Sequence, residues 1–133
     1  MRLPGYELQT DLRRDRQDTN NGVGGGLLVY AKQGLVVLPV DTGCDFNQHC
    51  SFKILTGQDQ LCITLVYRPP SAGVRSVDSL VELTKSLSGN VILLGDFNLP
   101  NIDWVSGQAA GRSADFLEAC RDSFYRVRKV IES

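Results

Sequence analysis

The chain has 133 residues, and its 14 Lys and Arg against 15 Asp and Glu give a net charge of −1; this excludes a globally basic nucleic-acid-binding surface and leaves only local patches open. With 42% apolar and 22% charged residues it is an ordinary globular sequence, long enough for one core and too short for two. No apolar run reaches the roughly 18 residues of a membrane span, and the N-terminal MRLPGYELQT lacks the apolar centre of a secretory signal.

In chain order, residues 5–12 (GYELQTDL) alternate loosely and predict a short strand. Residues 13–21 (RRDRQDTNN) are a charged loop, and Asp11, Asp15 and Asp18 interleaved with Arg13, Arg14 and Arg16 favour a solvated loop over a nucleic-acid contact. The glycine-rich residues 22–26 precede a strand at 27–31 (LLVYA), not a helix, so they do not make a phosphate-binding turn. A strand at 36–40, linked through Gln33 and Gly34, predicts a hairpin with it. Residues 41–50 read as a loop containing His49, whose spacing to Cys44 and Cys50 is not that of zinc ligands. With no C-x-x-C pair, Cys44, Cys50, Cys62 and Cys120 read as reduced thiols of an intracellular protein.

Strands at 51–55 and 60–67, joined by Thr56-Gly57-Gln58-Asp59, predict a second hairpin. Pro69 and Pro70 end it, because proline has no N–H for a ladder. Ser76 is placed as a helix N-cap, with Val77, Leu80, Val81, Thr84 and Leu87 on one stripe and Gly89 as the stop. The run Val91 to Leu94, bounded by Asn90 and Gly95, predicts a strand buried on both faces. A loop over 99–112 holds Trp104 as an anchor on the core, and Ser113 caps a helix whose Phe116, Leu117, Cys120 and Phe124 share a face. This order of elements is mixed α/β (α+β).

The chemistry concentrates at two strand ends. If extended backbone continues through Gly95-Asp96-Phe97-Asn98, then Asp96 and Asn98 face one side while Phe97 points into the core. A carboxylate beside an amide can take a proton from water or hold a metal-bound water. In Val66-Tyr67-Arg68-Pro69-Pro70-Ser71 the tyrosine hydroxyl or the arginine fork would meet an anionic ligand. Strand parity sends the two to opposite sides.

GGGLLVYAK (24–32), ITLVYRPPS (63–71), NVILLGDFNLPNIDW (90–104) and ADFLEACRDSF (114–124) occur in this order. Together they resemble the endonuclease/exonuclease/phosphatase superfamily, and within it the apurinic-endonuclease-like domain of non-LTR (LINE-type) retrotransposon polyproteins. The resemblance implies the central part of a two-sheet β-sandwich flanked by helices (deoxyribonuclease I-like), and an enzyme that cleaves DNA phosphodiesters with Mg²⁺ or Mn²⁺. It implies that Asp96 positions or deprotonates the attacking water, that Asn98 contacts the scissile phosphate and that Tyr67 reaches it. Arg68 and Ser71 are assigned to the phosphate side, although the superfamily usually places an asparagine where Pro70 or Ser71 stands. Asp96 is a possible metal ligand.

The family's metal-binding glutamate is expected before Pro4, and its Ser-Asp-His after Phe124. Residues 1–133 therefore read as a single partial domain of a nuclear, reverse-transcriptase-bearing polyprotein, with little activity alone. The rival readings are a non-catalytic remnant that acts as a binding module, and a phosphatase or deadenylase of the same superfamily.

Overall fold

From the N-terminus the chain forms β1 (Tyr6–Leu8), a 3-10 turn (Thr10–Leu12), β2 (Arg14–Asp15), β3 (Gly26–Leu27), β4 (Tyr30–Lys32), β5 (Val36–Val40), β6 (His49–Thr56) and β7 (Asp59–Tyr67). Helix α1 (Arg75–Ser86), β8 (Val91–Asp96), β9 (Ile102–Asp103), β10 (Gln108–Ala109) and α2 (Arg112–Ser123) follow. The computed structural model describes residues 3–15, 26–44, 46, 48–69, 72–87 and 91–123.

The centre is a four-stranded sheet of order β5-β6-β7-β8. β5, β6 and β7 are antiparallel neighbours, whereas β8 joins β7 in parallel through the crossover helix α1. Strand alternation gives the sheet two different faces. On one, Val66, Val91 and Leu93 pack under Val77, Leu80 and Leu83 of α1 and Phe116 and Cys120 of α2. Each fully buried side chain of this size is worth about 1.5–3 kcal/mol. On the other face Cys50 and Phe52 meet Leu12 and Val29, with Ile63 and Leu65 packed alongside. The β2-β3 ladder joins this second layer through Leu27, and β4, paired with β1, follows directly on Val29.

Several expectations change. The strand at 27–31 does not form a hairpin with 36–40: Tyr30–Lys32 pairs with Tyr6–Leu8, and β5 pairs with β6. The Gln33–Gly34 turn carries the chain from one layer to the other, because Val29 is needed to cover the sheet's second face. Ser76 does not cap α1: the N-cap is Val74, with no side-chain hydrogen bond, and Ser76 lies inside the first turn. Ser113 is likewise inside α2, which begins at Arg112.

β8 is buried on the helix face and only half-buried on the other, since the second layer does not reach Ile92 and Leu94 among the described residues. The 99–112 loop contains the β9-β10 hairpin, pairing Ile102 with Ala109. His49 is not in a loop: it is the first residue of β6 and lies opposite Val66. Gly89, Asn90 and Phe124 fall outside the described residues.

Candidate active site

The C-terminal ends of β7 and β8 coincide. In their parallel register Val66 lies opposite Gly95 and Tyr67 opposite Asp96. Adjacent strands run roughly 4.8 Å apart, so a phenol and a carboxylate, both half-buried, stand side by side on one face. Gly95 permits this approach. A Cβ there would meet the Val66 carbonyl oxygen at 2.6 Å and the Phe97 ring at 3.0 Å. Phe97 points the other way, into the core. It is 2% exposed, with its ring centroid 5.0 Å from that of Phe116 and 6.2 Å from that of Trp104. That anchor fixes the parity of Asp96.

The extended backbone expected through Asn98 stops short of it. β8 ends at Asp96, and Asn98 has φ 48°, a left-handed conformation that asparagine adopts more readily than most residues. Its side-chain amide donates to the Arg68 carbonyl. Asn98 is thus held at the same end as Asp96, by a turn and not by strand alternation.

The fork of Arg68, assigned above to the phosphate side, is occupied by groups of the chain itself. The residue is 7% exposed, with Nε donating to Ser76 Oγ at 2.8 Å, Nη1 to the Asn98 carbonyl at 2.8 Å and the Phe97 carbonyl at 3.5 Å, and Nη2 to the Ala72 and Gly73 carbonyls at 3.3 Å each. A buried guanidinium must have its donors satisfied, and strand parity has turned this one inward. Burial draws its pKa down from the ordinary arginine value, and arginine remains cationic. The opposite sides expected for Tyr67 and Arg68 are observed. Ser71 lies outside the described residues.

His49 stands at the same end of the sheet on the helix face. Its Nδ1–H donates to the Phe46 carbonyl, and Thr42 Oγ1 lies 2.7 Å from Nε2. Burial lowers the pKa of the ring from 6.5, which favours its neutral form. Both ring nitrogens serve the fold. The cysteine thiols are all unpaired, and burial pushes Cys50 up to about 11 and Cys120 up to about 12, far from the thiolate form.

Residues 61–129 match the endonuclease-reverse transcriptase family. This chain belongs to that family. The matched segment, over half of the chain, runs from β7 into α2 and beyond and contains Tyr67, Arg68, Gly95, Asp96, Phe97 and Asn98. Among solved structures this chain is similar to the endonuclease domain of TRAS1, a telomere-specific non-LTR retrotransposon, with a TM-score of 0.60 at 11% identity. The similarity covers 90% of this chain and 54% of that one, so the chain spans about half the length of its structural relative. It confirms the mixed α/β, deoxyribonuclease I-like fold. No curated protein matches the sequence.

Sequence reasoning missed Ser76 and the Ala72 and Gly73 carbonyls as partners of Arg68. The available signal was parity: a residue one past Tyr67 on a strand faces the opposite layer, and an arginine sent there needs acceptors.

Proposed function

We infer that this chain is part of the endonuclease domain of a retrotransposon polyprotein that nicks DNA by metal-dependent phosphodiester hydrolysis. The observation that carries the reading is Tyr67 directly opposite Asp96 at coincident ends of two parallel strands, inside the segment that matches the family. Ligands of open sheets containing parallel strands gather outside the carboxyl ends of those strands.

In this reading Asp96 orients the attacking water and accepts its proton. Tyr67 donates its hydroxyl to a phosphoryl oxygen, and Asn98 fixes the phosphate relative to Asp96. Asp96 also offers a hard carboxylate oxygen of the kind Mg²⁺ or Mn²⁺ takes, ions that fill much of their shell with water and substrate phosphate. Among the described residues no group of three or more His, Cys, Asp or Glu side chains gathers to hold an ion. Asp96 would therefore be one protein ligand, with substrate and solvent oxygens beside it. When bound, the cation supplies charge neutralisation at the phosphoryl oxygens. The substrate is DNA, the polyprotein also carries a reverse transcriptase, and the site of action is the nucleus.

Conversion of supercoiled plasmid to open circles in Mg²⁺ tests this, using the polyprotein's endonuclease region that carries this segment. Asp96→Ala should slow nicking by at least about 100-fold, as expected for a member of a catalytic unit. Nicking at the wild-type rate in that variant would reject the assignment. The 133-residue chain alone is expected at or near background, because such units are strongly non-additive.

A further inference from the structure

We propose that Arg68 is the positioning residue of this site, a brace between the two strand-end loops that sets the conformation of Asn98 and touches no DNA phosphate. The observation is a complete set of contacts. Every backbone carbonyl of the Asp96-Phe97-Asn98 step is bonded to Arg68: Asp96 by the Arg68 backbone N–H at 2.8 Å, Phe97 and Asn98 by Nη1. In return the Arg68 carbonyl accepts the Asn98 side-chain amide. The rest of the guanidinium grips the other loop through Ala72 and Gly73, and the first turn of α1 through Ser76. The Ser76 hydroxyl is itself oriented, donating to the Gly73 carbonyl at 2.6 Å.

One residue therefore joins the loop after Tyr67 to the loop that bears Asn98. The left-handed Asn98 (φ 48°) is bonded to it from both its carbonyl and its side chain. Such a backbone state persists where the surroundings over-determine it. A planar fork with donors in fixed directions can span carbonyls from two loops at once, whereas a lysine ammonium carries the same charge as a single point. What the positioned groups accomplish rests on the phosphodiesterase reading; the brace itself does not.

The test uses Arg68→Lys in the 133-residue chain, labelled so that the Asn98 side-chain amide is visible by NMR. With the variant folded, Asn98 amide exchange should accelerate about tenfold as the brace opens locally. Affinity for a DNA duplex should stay within about twofold, with an unchanged salt slope. An unchanged Asn98 signal in folded Arg68→Lys would overturn the proposal. So would DNA binding about tenfold weaker, the mark of a bidentate phosphate contact that lysine cannot reproduce.

If Arg68→Lys does not fold, Ser76→Ala decides. It removes the acceptor of Nε together with the bond from Ser76 to the Gly73 carbonyl, leaves the Nη contacts in place, and Asn98 exchange should still accelerate, by about two- to threefold; no change there would also overturn the brace. In the nicking assay on the polyprotein region, Arg68→Lys should lower kcat with KM unchanged, as for an interaction used in the transition state. A wild-type chain that fails to bind DNA would sink the functional reading while the Asn98 measurement still judges the brace.

Discussion

At Gly95 a single methyl group decides whether β7 and β8 meet at the site. The added carbon would lie 2.6 Å from a backbone oxygen that has little room to move. Gly95→Ala should therefore cost about 1–3 kcal/mol, the usual range for overpacking, read as a lower urea midpoint. An unchanged midpoint would mean that the strands can part there without loss. His49 gives a pH signature. Its folded pKa lies below 6.5, so the unfolded chain binds more protons in the window just below that value. The stability contributed by neutral His49 is complete above 6.5 and fades as pH falls through it toward the folded value. Arg14 nearby favours the neutral form and Asp41 opposes it. Unfolding free energies between about pH 8 and pH 5 should fall less steeply in His49→Gln than in the wild type. The side assigned to Asp96 was readable from Phe97, an apolar residue between two polar ones. The inward turn of Arg68 was readable only as parity, since its partners come from residues 4 to 30 positions away.

At the scale of elements, the anchor for the whole strand end is Phe97. Packed between Phe116 and Trp104, it fixes the backbone on both of its sides. Phe97→Ala should cost about 3–5 kcal/mol, as for other buried aromatic truncations, seen as a lower melting temperature together with weaker nicking. Loss of nicking with no thermal change would assign Phe97 a direct role in place of an anchoring one. β6, β7, β8, α1 and α2 were legible because each has enough apolar residues to show its period. β9 and β10, two residues each, are too short to show one; their hairpin is held by the Asp103 side chain accepting from the Val105 and Ser106 N–H groups. The change of layer between β4 and β5 was hidden for another reason. A turn at Gly34 serves a hairpin or a crossing equally well, and only the demand of the sheet's second face for Val29 chooses between them.

At the scale of the molecule, one sheet is asked to do two things. Its helix-covered face is closed by α1 and α2, while its other face leads out to Tyr67 and Asp96 at the strand ends. That division makes a rigid support with the candidate site at one rim, and the proposed function then predicts that DNA touches there. The most direct test is an NMR titration of the labelled chain with a DNA duplex, with and without Mg²⁺. Largest shifts at Tyr67, Asp96, Asn98 and the adjoining loops, with Asp96 moving further when the cation is added, are the expected result. Shifts centred instead on the exposed Val36 and Leu38 of β5, or on the acidic groove of Asp78, Glu82 and Glu118 between the helices, would contradict it.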